Sequence, residues 1–511
     1  MKKLVCAFLL GILSSVLHAQ TGSASVAFIA PVYGGTSQIT SYLVTAYING
    51  VSTGITASGA SSPILLTGLT DGTTYTAQVQ ACNVNGCGPA SAPSAPFTPG
   101  SSGLASRRST VTNMPYPRRA ALVIADFSLN AADQAALGKF DLVNLGLYPL
   151  WGNPASAVAG IRSYHSGNML ISQYTILDEQ YTSDAVFQGL INMLNSQNWW
   201  LRTAAGATIP ANDGNYINIT SYMPQYNGQN EPQWAADWYN TNSYFTTGAF
   251  DIWYFDNVVA VPTAGTASYY NNGANQAVTL AGVESAWQAG EAQEWAEAMA
   301  DQPQLLTEGN TSQNMSAPGL TGKLMGALIE CAVGQSWSPY QYGGWSTLMT
   351  WYLSEAANLA SPQLQEVGAC ASGTDYATFR FILGATLMGN GFLAYNNGDS
   401  YGTGSSLWYD EYNVLLGSAL EPAATSTSST YSAGVSTGLY QNGVWRRDFT
   451  NGIALVNSTS STQTVTLGGT FYEIAGTQDS THNAGTAVTS VTINATDGYV
   501  LCNSACSNYP H

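Results

Sequence analysis

A chain of 511 residues has room for two to four domains, and 45% hydrophobic residues are enough for a sizeable core. Only 8% of residues are charged and the formal net charge is −17, so the surface is polar rather than ionic. An acidic chain of this kind does not seek phosphate backbones, which argues against nucleic acid as a partner.

The chain opens on "MKKLVCAFLLGILSSVLHA", with two lysines, an apolar run and a small residue at its end. Residues 1–19 therefore read as a secretory signal peptide cut after Ala19, too short for a membrane anchor. Later, "FILGATLMGNGFLAY" (381–395) is interrupted by glycines and Asn390 and reads as helix, turn and strand. We expect no integral membrane segment in the mature chain, and a secreted, periplasmic or cell-surface protein. The mature chain keeps Cys82, Cys87, Cys331, Cys370, Cys502 and Cys506. An even count in an exported protein suggests disulfides, and the close pairs 82 with 87 and 502 with 506 leave 331 with 370. Zinc is a poor alternative, with no C-x-x-C and only His165, His482 and His511 left. No metal and no cofactor are expected.

Residues 22–99 read as a small all-β unit. "SVAFIAPV", "TSYLVTAYI", "SPILLTGL" and "TYTAQVQACN" alternate with period two between Gly, Ser and Asn breaks. The run "LTGLTDGTTYTAQVQACNVNGCGPAS" (66–91) resembles fibronectin type III modules, which implies a β-sandwich with Tyr75 as its corner tyrosine. Phe28 stands where such modules usually carry Trp. The Ser-, Pro- and Arg-rich residues 100–118 read as a linker.

From 119 to 420, short apolar strands alternate with amphipathic segments. The strands are "ALVIAD" (121–126), "FDLVNLG" (140–146), "NMLISQY" (168–174), "FDIWYFD" (250–256), "QLLTEG" (304–309), "MGALIE" (325–330), "LQEVGA" (364–369) and "GFLAYN" (391–396). Between them, Val186, Leu190 and Leu194 recur at helical spacing. In "VESAWQAGEAQEWAEAMA", Trp287, Trp295 and Met299 form a stripe that leaves Glu284, Glu291, Glu294 and Glu297 largely off it. Eight such units predict a (β/α)8 TIM barrel rather than a doubly wound sheet, whose Gly-rich first turn is missing. After a low-complexity hinge at 421–430, residues 440–507 return to β pattern and predict a small C-terminal β-sandwich. The expected chain is thus multidomain: β-sandwich, barrel, β-sandwich.

Active groups of a barrel sit at the C-terminal ends of its strands. Asp126, Asp256, Glu308 and Glu330 end, or nearly end, predicted strands. On strand four, Asp256 shares a face with Tyr254, while Asp251 points the other way near the bottom and is structural. Glu330 follows four apolar residues and precedes Cys331; a disulfide to Cys370 on the next strand would brace the rim beside it. Two inward carboxylates make a glycosidase pair, one attacking the anomeric carbon and one protonating the leaving oxygen. Tyr and Trp, 30 and 13 in number, suit stacking on sugar faces, with Trp151, Trp337 and Trp408 the cleft candidates. Two G-x-S-x-G matches, at 50–54 and 434–438, do not lead from a core strand into a helix, so they are not nucleophile elbows.

"NWWLRTAAGATI", "WAADWY", "FDIWYFDNV", "LLTEGN", "GALIE" and "WYDEYNVLLGSALEP" resemble a set of secreted bacterial barrels classed as hypothetical glycoside hydrolases, family fifteen of the glycosidase-like series. "WYFDN" is also similar to the strand-four motif of the α-galactosidase clan. That resemblance implies Asp256 as nucleophile and Glu330 as acid/base, with Tyr254 at the position where the clan often has a sugar-binding Lys. The expectation is a retaining glycoside hydrolase acting on a poly- or oligosaccharide, with Asp126, Glu308, Glu411 and Tyr254 shaping the sugar site. The alternatives are a non-catalytic carbohydrate-binding or adhesive surface protein and a hydrolase of another bond, such as an ester.

Overall fold

A computed structural model describes residues 18–20, 23–26, 28, 37–60, 64–70, 73–94, 104–124, 129–147, 154–165, 167–176, 178–203, 205–211, 214–261, 269–271, 277–398, 401–402, 407–504 and 506. Most of the expected leader, together with Asp126 and Trp151, lies outside them.

The N-terminal unit consists of two antiparallel sheets. One joins His18–Gln20, Ser23–Val26 and Ile64–Thr67; the other orders Val51–Gly59, Ser41–Ile48, Thr76–Asn83 and Gly86–Cys87. Alternate residues Tyr42, Val44, Ala46, Ala77, Val79 and Ala81 point into one apolar cluster with Phe28. The hydroxyl of Tyr75 accepts a hydrogen bond from the Thr70 amide at 3.0 Å, the corner that the sequence suggests. Cys82 and Cys87 are bridged across the last hairpin.

The central domain is a closed barrel of eight parallel strands. We label them β1 (Arg119–Val123), β2 (Leu142–Leu145), β3 (Leu170–Ile176), β4 (Ile252–Asp256), β5 (Leu306–Asn310), β6 (Gly326–Ile329), β7 (Leu364–Ala371) and β8 (Phe392–Asn397). All eight expected strands are present. They read as apolar runs because both faces are covered, by helices outside and by neighbouring strands inside. Inward residues stack in layers. Ala120, Leu142, Leu170, Ile252, Leu306, Leu364 and Phe392 form the bottom one. The segment expected to be a linker is partly barrel: Leu104–Asn113 is a helix whose Val111 joins that bottom layer. Its buried Arg107 donates to Asp251 at 3.0 Å and to the Gln304 carbonyl at 2.9 Å.

The 22-residue helix Leu280–Asp301 departs from the expectation in where its glutamates lie. Trp287 and Trp295 are buried, but so are Glu291 and Glu294, each 0% exposed. Glu291 stands four residues from each tryptophan and so on their side, which packs on Phe255 of β4 and on the helix Glu231–Asn242, while Ser285, Ala289, Ala296 and Ala300 form the one exposed stripe.

Beyond the barrel, six strands form one antiparallel sheet in the order Gly438–Gln441, Val444–Phe449, Gly452–Asn457, Gly498–Cys502, Gln463–Tyr472, Ala487–Ile493. One face shares an apolar cluster with the barrel helix Tyr376–Leu387, through Trp445, Val456 and Val500 against Phe381 and Leu383. Arg380 of that helix reaches across to Asp497 at 2.8 Å and to Asp479 at 2.6 Å. The expected hinge is pinned rather than loose: buried Glu421 accepts from the Asp448 and Gly434 amides at 2.7 and 2.8 Å. Of the two G-x-S-x-G stretches, 50–54 lies in an antiparallel hairpin and 434–438 in a turn, with no helix following either.

Candidate active site

Three consecutive staves of the barrel, β4, β5 and β6, present the polar groups of the upper rim. Alternation brings Asp256 inward at the end of β4, above Tyr254 and Ile252. On β5 the same parity brings Leu306, Glu308 and Asn310 inward, and Glu330 follows the last residue of β6. The turns that follow are tight. Asn257, Ser312 and Cys331 have φ of 57°, 51° and 43°. Asn tolerates that region, whereas Cys331 is an unusual occupant, and such residues cluster where geometry serves function.

Asn310 lies between the two acids. Its amide nitrogen donates to Asp256 Oδ1 at 3.0 Å and to Glu330 Oε2 at 2.8 Å. Those two oxygens are therefore no more than 5.8 Å apart, the sum of the two lengths. With one oxygen on each N–H of a trigonal amide, the separation is about 5 Å. The remaining oxygens are held by phenols: Tyr174 donates to Asp256 Oδ2 at 2.6 Å, and Tyr401 donates to Glu330 Oε1. Both carboxyl groups are half-buried. Burial, and then the like charge of Glu330, push the Asp256 carboxyl up to about 6; the Tyr174 and Asn310 hydrogen bonds pull the other way.

Cys331 and Cys370 are joined, with Cα atoms 4.9 Å apart, at the tops of β6 and β7. The Tyr401 hydroxyl that binds Glu330 lies 3.7 Å from Cys331 Sγ and 4.0 Å from Cys370 Sγ. The disulfide thus backs the phenol that fixes Glu330. The next loop is tied to the same bridge, through Ser338 Oγ to the Cys331 carbonyl and Gln335 Nε2 to the Cys370 carbonyl at 3.1 Å. That loop displays Trp337, which is 48% exposed.

One layer below, Glu308 and Glu366 are fully buried and feel each other's charge. Burial raises both carboxyl groups, and the charge of Glu366 raises Glu308 further. Asn144 donates to Glu366 at 2.6 Å. Tyr254 is 1% exposed and stacks on Tyr174 with ring centroids 5.8 Å apart. Glu308 and Tyr254 therefore form the floor beneath the pair, out of reach of solvent.

Two other expected site residues lie elsewhere. Trp408 packs on Phe140 at 5.4 Å, with the Arg119 guanidinium 5.5 Å from its ring. These are residues at the N-terminal ends of β1 and β2, on the outer wall. Glu411 is buried and accepts from Asn483 of the C-terminal sheet at 3.1 Å. Trp408 follows β8 in sequence, but from there the chain runs along the outside of the barrel. Asp251 is structural, as expected, bonded to Arg107 and Arg162.

Behind β4, Asp178, Glu231, Glu291 and Glu294 are each fully buried. Burial raises all four, Glu231 to about 8. Asn257 donates to neighbouring Glu179, and Glu291 accepts from the Val259 amide at 3.1 Å, so this acidic group supports the loop after Asp256. Among the described residues, one trio brings carboxylate oxygens within 4.8 Å of one another, as a cation would need: Asp237, Glu297 and Asp301, all half-buried. Side-chain amides of Gln229 and Gln233 already donate to the first two of these.

Fold and site define a modular protein with a closed eight-stranded parallel barrel and two acids facing each other across one amide at its C-terminal rim. Among known families, the fibronectin type III domain matches residues 13–97. No curated protein matches the chain. Among solved structures, it is similar to the twitchin kinase region of C. elegans at 22% identity, over 16% of this chain and 15% of that one (TM-score 0.15). Over nearly its whole length it aligns with a family 39 glycoside hydrolase of Bacteroides cellulosilyticus WH2, at 10% identity, 96% of this chain and 99% of that one (TM-score 0.40). An alpha-galactosidase candidate from Bacteroides fragilis NCTC 9343 aligns at 10% identity, over 93% and 100% of the two chains (TM-score 0.38).

Proposed function

We propose that the protein is an exported glycoside hydrolase that cleaves a poly- or oligosaccharide with retention of anomeric configuration. Asp256 attacks the anomeric carbon, and Glu330 gives its proton to the departing glycosidic oxygen. A water that Glu330 deprotonates then releases the sugar from Asp256, restoring both groups. The observation that carries this reading is the single Asn310 amide shared by both carboxylates. Retaining enzymes hold their acids about 5–5.5 Å apart and inverting ones about 6.5–9.5 Å, and the shared amide supports the shorter class. Exposed Trp337, on a loop braced beside Glu330, offers a face for sugar stacking. Three disulfides suit an oxidising compartment, and no described helix is long and apolar enough to cross a membrane. The two halves of the C-terminal sheet share one apolar cluster, which supports reading it as the small sandwich beside the barrel. A non-catalytic sugar-binding role would leave two like charges so close together without a purpose.

The test is digestion of a glycan panel by the wild type, Asp256→Asn and Glu330→Gln, with product anomers followed by proton NMR. Cleavage should be lost with Asp256→Asn and fall on the order of 10²–10⁴-fold with Glu330→Gln. Equal turnover by all three proteins would reject the assignment.

A further inference from the structure

Around the barrel the strands run β4, β5, β6, so the group at the end of β5 stands between the two acids. That group is uncharged. A third carboxylate there would add repulsion, and an apolar side chain would leave both acids without a donor. A primary amide is suited to the position because it offers two N–H groups on one nitrogen. Both are used, at 3.0 and 2.8 Å. Turning the amide over would set its carbonyl oxygen against two carboxylates, so the donor orientation follows from the surroundings. The backbone is fixed as well: the Asn310 carbonyl accepts from the Val258 amide at 3.0 Å, which ties β5 to the loop after Asp256.

We infer that Asn310 is a positioning residue, a two-donor strap that sets the spacing of Asp256 and Glu330 and keeps Asp256 ionised beside a like charge. The role in catalysis rests on the reading of the pair as a glycosidase couple; the electrostatic role does not. Each N–H favours a bare carboxylate over a protonated one. Asp256 also faces Glu330 from β6 and the Tyr174 phenol from β3, and Asp178 behind β4 feels its charge; Glu308 and Glu366 lie below, around Tyr254. Among these, Tyr174 and Asn310 are the side chains that donate to Asp256, and Asn310 alone also reaches Glu330. When Asp256 forms its bond to the sugar it loses its charge, and the strap can remain on Glu330, which at that stage acts as the base.

The test is direct titration without substrate. Protein carrying carbon-13 at its aspartate carboxyls is titrated by NMR, and the Asp256 resonance is identified by its loss in Asp256→Asn. Asn310→Ala should raise the Asp256 midpoint by about one to two pH units, the worth of one charge-assisted hydrogen bond. Asn310→Leu keeps roughly the size, removes the donors and adds no charge, and should raise it too. Near-ultraviolet circular dichroism confirms that each variant is folded. A midpoint that stays at the wild-type value in the folded Asn310→Leu protein would overturn the inference. A shifted midpoint in a protein that cuts no glycan would keep the strap and remove the glycosidase reading.

Discussion

Asp251→Asn should destabilise the barrel strongly while leaving the rim chemistry untouched. The carboxylate lies just before β4, 7% exposed, with Arg107 Nε at 3.0 Å on one oxygen and the Arg162 guanidinium and Ile171 amide on the other. Burial alone would raise this acid. The charges of Arg162 and Arg107 outweigh burial and hold it below its ordinary value. The amide variant leaves two buried guanidiniums without a counter-charge. Breaking one partner out of a buried pair costs about 3–5 kcal/mol. At roughly 2–4 °C per kcal/mol for a large domain, melting should fall by on the order of 10 °C. Because the folded value lies below the unfolded one, Asp251 contributes stability that is complete above about pH 4 and lost as pH falls through the folded value. Wild type and variant should therefore converge in strong acid. Urea titration and thermal melts from pH 3 to 8 measure this directly. A variant within about 1 kcal/mol of wild type at pH 7 would refute the reasoning, since surface substitutions alone stay inside such a margin.

Activity should rise with pH through about 6 as Asp256 ionises into the attacking form; a falling limb at that pH in a pH–rate profile would exchange its role with that of Glu330. Arg380→Ala leaves Asp497, 1% exposed in its side chain, with only His482 at 3.4 Å as a cationic partner, and should cost about 3 kcal/mol, read as earlier proteolysis of the C-terminal sheet. Cys331→Ser with Cys370→Ser opens a loop closed over 39 residues and should lower stability by about 4 kcal/mol in chain-entropy terms. Because Tyr401 rests on that bridge, kcat should fall along with the melting temperature; a stability loss with unchanged kcat would separate the bridge from the site.

Strand positions were legible because parallel barrel strands, covered on both faces, read as apolar runs between helical segments. Asp256 and Glu330 stood out for the same reason, as carboxylates that end such runs. Asn310 was hidden: it is neutral, it follows Glu308 by two residues, and its meaning depends on which strands flank it. Tyr401 and Tyr174 were hidden among 30 tyrosines, with no local signal that distinguishes a phenol near a carboxylate. Glu366 was obscured by its place inside a strand rather than at its end. Glu291 and Glu294 were misread because helical spacing puts both on the tryptophan side, Glu291 four residues from each tryptophan and Glu294 seven from Trp287, so the apolar stripe carries acids within it. Trp408 failed because following a strand in sequence does not keep a residue at that strand's end.

The helix Leu104–Asn113 closes the end of the barrel opposite the rim acids. The chain from the fibronectin-like unit therefore enters at the floor. Ten chain steps separate Ser94 from Leu104, a leash of at most about 35 Å. The N-terminal unit is thus tethered through the floor helix, on the side of the barrel away from the acids. A chain beginning at Leu104 should keep its barrel floor and the rim acids in place.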